Sequence, residues 1–133
     1  MAYNGYLIKI NGITIPNELI RADTYKTTVN TSDLDSFTDA NGVLHRNVLS
    51  HKSNKCEWNM PRCDGSKMQS FLNILRSIWG ENPERKATCE IYVPEWDRYY
   101  SGTFYMPDFT LQMVQATKDQ IVYNETRFAL IEY

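Results

Sequence analysis

One stretch of the sequence repeats its apolar residues at helical spacing, and it stands alone. Met68, Phe71, Leu72, Leu75, Ile78 and Trp79 fall at offsets 0, 3, 4, 7, 10 and 11, a 3.6-residue period with one apolar face. Ser66 with Gln69 three positions on reads as a capping box, and Asp64 is the rival cap. Gly80 supplies a left-handed stop and Pro83 bars resumption. A helix is therefore expected over Ser66–Trp79, about 21 Å long. Its six large side chains, left in water, would each forfeit about 1.5–3 kcal/mol, so the rest of the chain must cover them.

The rest of the chain is written in strands. Tyr6, Ile8 and Ile10 alternate with Lys9, and Asn11-Gly12 leads into Ile13-Thr14-Ile15 before Pro16. Asn-Gly between apolar runs is a strong hairpin signal, because both central turn positions need positive φ. Thr24–Val29 favours strand by its β-branched and aromatic content, and Val43–Leu49 follows as a further strand candidate. Cys56, Trp58 and Met60 alternate with Lys55, Glu57 and Asn59. Ala87, Cys89, Ile91 and Val93 do the same up to Pro94, and Tyr100, Gly102, Phe104 and Met106 up to Pro107. Leu111, Met113 and Gln115 continue the rhythm, Gln120–Tyr123 is short, and Thr126–Ile131 has both faces partly apolar. No strand-helix-strand rhythm recurs, which disfavours a doubly wound fold. The expected fold is mainly β with one α-helix (α+β): an antiparallel β-sandwich or barrel in a single domain, residues 1–133, with the helix on its flank. Residues 30–42 are the longest polar interruption, anchored only by Leu34, Phe37 and Ala40, and read as an extended inter-strand hairpin loop, Asp39-Ala40-Asn41-Gly42 its turn tip, that orders against a partner or is simply solvated.

Charge and cysteine usage narrow the function. Residues 1–66 carry seven basic and seven acidic side chains, and the remainder carries seven basic and nine acidic. With no pooled positive charge, binding of nucleic acid by phosphate neutralisation is not indicated. No run approaches the roughly 18 apolar residues of a membrane span. The opening alternates rather than placing a basic region before an apolar block, so no signal peptide is read there. Cys56, Cys63 and Cys89 are an odd set, which favours free thiols over a disulfide framework. Cys56 and Cys63 stand seven apart, unlike a zinc knuckle, and His45 and His51 lack further ligands at metal spacing. Asp33, Asp35 and Asp39 cluster hard oxygens but lack the glycine and glutamate of an EF-hand. No nucleophile elbow and no phosphate-cradling glycine loop occur. The reading is therefore no catalytic residue, no cofactor and no metal.

Two groups remain as candidate interface residues. One is the polar loop, with Asp33, Asp35, Phe37 and Asp39. The other is the aromatic run Trp96, Arg98, Tyr99 and Tyr100, with Tyr105 beyond it. Aromatics with arginine are what protein interfaces enrich. The same run also suits plain packing, or a carbohydrate or nucleobase platform.

The layout resembles a known family. Ile8-x-Ile10-Asn11-Gly12-Ile13-x-Ile15-Pro16, then Gly42-Val43-Leu44-His45-Arg46, Lys55-Cys56-Glu57-Trp58, the helix, and Gly102-x-Phe104-Tyr105-x-Pro107-Asp108 are similar to small proteins encoded among tail genes of phages and prophages of Firmicutes. The resemblance implies a virion protein of the long-tailed type with the tail-tube fold. It implies protomers closing into a hexameric ring, other tail proteins as partners, and no membrane insertion. Asp33–Gly42 would then reach a neighbouring subunit, and the strands around Tyr25–Val29 and Tyr99–Met106 would face the lumen or the ring contact. At this length the chain could equally be a distal-tail, baseplate or tail-completion component. A near-neutral composition suits a channel through which DNA slides without sticking. A small carbohydrate- or protein-binding module built around Trp96 is the alternative.

Overall fold

The structure, a computed structural model, describes residues 2–29, 35–47 and 54–133. Asp33, Leu34 and the end of the strand expected over Val43–Leu49 lie outside those residues. In chain order the strands are β1 (Ile8–Ile10), β2 (Ile13–Thr14), β3 (Lys26–Val29), β4 (Phe37–Thr38), β5 (Leu44–His45), β6 (Asn54–Met60) and β7 (Cys63–Asp64). The helix α1 (Gly65–Trp79) follows, then β8 (Lys86–Val93), β9 (Arg98–Tyr105), β10 (Met113–Ala116), β11 (Ile121–Tyr123) and β12 (Thr126–Glu132). All strand pairings are antiparallel. The fold is thus mostly antiparallel β with a single helix.

Seven strands form the main sheet in the order β2-β1-β8-β9-β12-β6-β3. Its register decides which side chains share a face. Ile8 stands opposite Ile91, Ile10 opposite Cys89, Ala87 opposite Phe104, Phe128 opposite Trp58, and Leu130 opposite Cys56. Nearly all of these side chains are buried, and α1 lays Met68, Phe71, Leu75 and Trp79 into the same core. Phe128 is the hinge of that packing, with Phe71 edge-on at 4.8 Å, Phe109 at 4.8 Å and Trp58 stacked at 5.9 Å.

The sheet curls around this core. Ile15, Leu19 and Ile20 follow β2 at one edge and are buried in the core, and Arg21 N–H then donates to the Asn59 carbonyl of β6 at 2.9 Å. The Tyr25 hydroxyl, just before β3, donates to the Tyr92 carbonyl of β8 at 2.6 Å. Three strands, β9, β12 and β6, separate β8 from β3 in the sheet order, so that bond requires strong curvature.

Local signals account for most boundaries. Asn11 (φ 51°) and Gly12 (φ 80°) make the β1–β2 turn with two positive φ angles. Gly80 (φ 57°) ends α1, its N–H bonded to the Arg76 carbonyl at 2.8 Å. The N-terminus of the helix departs from the expected capping box. Asp64, not Ser66, is the cap, its carboxylate accepting from Lys67 N–H at 3.0 Å, and Gly65 is already helical. Asp64 prevails because Cys63–Asp64 is held as a strand against β11, which fixes the chain direction one residue before the helix. Part of the stretch expected to be loop is also paired: β4 and β5 form a separate two-stranded sheet, Phe37 opposite His45 and Thr38 opposite Leu44.

Candidate assembly surfaces

The β4–β5 hairpin has the composition of an unfinished core. Phe37 is 57% exposed, Val43 53% and Leu44 57%. Its tip is nevertheless well built. The Asp39 carboxylate accepts from Asn41 N–H at 2.9 Å and Val43 N–H at 3.0 Å, and pairs with His45 Nε2 at 2.8 Å. The His45 contact, followed by the Val43 amide, holds the Asp39 carboxyl below its ordinary value. The His45 ring stacks on Phe37 at 4.8 Å. Asp35 is exposed with φ 53°, at the root of the arm. The hairpin is thus held by its own hydrogen bonds while three apolar side chains stand in water.

The second surface is the face of the main sheet that turns away from α1. Alternation with the core residues places Lys9, Lys26, Lys55, Glu57, Lys86, Glu90, Tyr92, Tyr99, Tyr105 and Arg127 there. Charges on it are largely partnered. Arg127 bonds Glu57, Lys55 lies 3.8 Å from the same carboxylate, and Lys9 sits 4.3 Å over the Tyr6 ring. Arg127 is also the first cause of a depressed Glu57 carboxyl. Tyr6 stacks on Tyr99 at 4.5 Å, Tyr92 meets Tyr99 edge-on at 5.4 Å, and Tyr105 meets Tyr133 at 5.4 Å. The Tyr6 hydroxyl donates to Glu90, which pushes its pKa up to about 12. These tyrosines are consumed in one another and in backbone bonds, such as Tyr99 hydroxyl to the Tyr6 carbonyl at 2.7 Å.

The expected aromatic run is therefore divided between two faces. Tyr99 and Tyr105 lie on the outer face, whereas Tyr100 points inward and donates to Glu132. Trp96 packs against the core with Tyr100 edge-on at 6.0 Å, and Arg98 stands 5.0 Å above the indole. No single platform unites the five residues, because adjacent positions on a strand cannot face the same way.

Sequence reasoning missed the polar cluster behind Tyr100. Glu132 is buried on the inner face, accepting from the Tyr100 hydroxyl and from Asn54 N–H at 3.0 Å. That bond, with burial, pushes the Tyr100 hydroxyl up to about 12. The Asn54 side chain is buried with neither its oxygen nor its nitrogen hydrogen-bonded. The only signal was Gly102 in a run of large residues, since a Cβ there would stand 2.6 Å from Glu132 Oε2.

A third surface is the small sheet β10-β11-β7, whose end strand β10 is exposed throughout. Met113 is 52% exposed, and Val114 occupies a bulge where the register against β11 shifts. Beside it an open groove of about 770 Å³ runs between the start of α1 and the β10–β11 turn, lined by Ser66, Gln69, Lys118 and Ile121 among others. Asp64 and Asp119 also line it, and Asp64 is engaged as the cap of α1. Among the described residues no group of three or more His, Cys, Asp and Glu is placed to hold a metal. No described helix is long and apolar enough to cross a membrane.

Comparison with known proteins places this geometry. A family model described as "Family of unknown function (DUF6711)" matches residues 1–133. No curated protein matches significantly. Among solved structures, the chain is similar to one in the tail of an empty gene transfer agent particle refined with C6 symmetry. The two share 18% identity with a TM-score of 0.51, over 99% of this chain and 95% of that one. It is similar to one in the virion of a native gene transfer agent particle at 17% identity and TM-score 0.50, with the same coverage. At such identities the likeness is one of fold.

Proposed function

The chain belongs to the DUF6711 family, and from that premise we propose that it is a structural subunit of a phage-type tail. It assembles with copies of itself into a ring of hexameric type, stacks with other tail proteins, and resides in the virion after synthesis in the host cytoplasm. The observation that carries the reading is the likeness of fold along nearly the whole chain to a subunit of a C6-symmetric tail. The surfaces agree with it. The arm shows apolar side chains that a lone subunit leaves wet, and the main sheet ends in two strand edges, β2 and β3, without a further partner among the described residues. Closing a ring turns such edges into interfaces. The inner face of the main sheet is filled by the core, so of its two faces the outer one is left to line a channel or meet a neighbour. Its carboxylates and cations are mostly paired, which suits a wall past which DNA moves without adhering.

The solved structures of like fold are tail and virion chains, which gives a catalytic role no support. The binding-module alternative loses its platform with the division of Trp96 and Tyr100 from Tyr99 and Tyr105. Light scattering after size exclusion, with negative-stain images, tests the proposal. Rings or stacked tubes are expected; a strict monomer at high concentration and in the presence of tail neighbours would overturn it.

A further inference from the structure

We propose that the β4–β5 arm of one subunit docks on the free edge of β10 of the next copy, extending that subunit's small sheet. The inference rests on the tail-subunit reading and names the acceptor that reading leaves open.

Two independent features match across the contact. The first is apolar surface. Among the described residues the large exposed hydrophobics include Phe37, Val43 and Leu44 on the arm and Met113 and Val114 on β10, with Tyr133 and Ile13 of β2 lying elsewhere. Ile121, 39% exposed, adjoins β10 from the neighbouring strand, on the face it shares with Tyr123. The second is backbone. β10 is the end strand of its sheet, and β4–β5 is a two-stranded sheet with both outer edges unpaired to any described strand. An edge strand accepts another through main-chain hydrogen bonds while side chains supply the specificity. An isolated hairpin is marginal in water, and adding it to a three-stranded sheet supplies the further strands it needs. The contact joins two different patches, so it repeats head to tail and closes as a ring or continues as a filament rather than stopping at a two-fold pair.

Mixed cross-linking is the test. Leu44→Cys is made in one preparation and Val114→Cys in another, both in a Cys63→Ser background, because Cys56 and Cys89 are buried. Oxidation of the mixture is expected to give a disulfide-linked dimer that neither preparation gives alone. Val114→Asp, exposed and so compatible with folding, is expected to raise the concentration needed for assembly about tenfold with its melting temperature unchanged. Met113→Ser provides a milder second variant, expected to act in the same direction. Assembly abolished by Phe37→Asp but untouched by Val114→Asp and Met113→Ser, with no mixed disulfide, overturns the β10 acceptor and leaves the tail-subunit reading standing. Dimers from Leu44→Cys alone indicate arm-to-arm pairing and also overturn it. A protein that stays monomeric in every preparation removes both.

Discussion

At the residue scale, Gly102 shows how one missing side chain organises its surroundings. Removing the Cβ makes room for Glu132 on the inner face, where the carboxylate accepts from Tyr100 and from the backbone of Asn54. Gly102→Ala places a methyl against that oxygen and 3.0 Å from the Tyr100 ring. It should destabilise the protein by about 1–3 kcal/mol, read as a lower urea midpoint with an unchanged slope. The thiols give a second check. Burial pushes both Cys56 and Cys89 up to about 12, whereas Cys63 is only part-buried and raised less. A thiol reagent at neutral pH should modify Cys63 in the native protein, and the other two only after denaturation. Their strand phase already implied this order. Beyond Gly102, nothing in the local sequence implied the Glu132 cluster, because the three residues that build it are far apart in the chain and meet only through strand pairing.

Among the elements, legibility follows the length of the periodic run. The helix was readable because its apolar spacing continues for three turns; of the six residues it marked, Met68, Phe71, Leu75 and Trp79 are buried and Leu72 and Ile78 only partly so. Its first residue was not, since the choice between Asp64 and Ser66 depends on β7, a two-residue strand with no period to detect. β4 was hidden for the same reason within a polar stretch. The hairpin it forms carries its own pH dependence. His45 and the Val43 amide lower the Asp39 carboxyl below the ordinary 3.8. The stabilisation from ionised Asp39 is thus fully present above that value and is lost as pH falls through the lowered one. In an acid titration followed by NMR, the amides of Asn41 and Val43 should lose their hydrogen-bonded shifts below about pH 4, and Asp39→Asn should abolish that transition.

Across the whole molecule, what escaped the sequence was adjacency. A period of two tells which face a residue takes but not which strand lies beside it, so the order β2-β1-β8-β9-β12-β6-β3 could not be read from alternation alone. The same order explains why the arm is separable from the body: β4 and β5 pair only with each other. Replacing residues 36–46 by a short Gly-Ser turn should leave unfolding stability within about 1 kcal/mol of the parent, measured in urea, while light scattering shows assembly lost. β12 has the opposite character. It lies between β9 and β6 and is the only strand joining the two halves of the main sheet. β12 is also the last of the described strands in the chain, so until it docks both halves keep raw inner edges. A chain whose final strand has not yet docked therefore carries two open seams, each a template for premature aggregation.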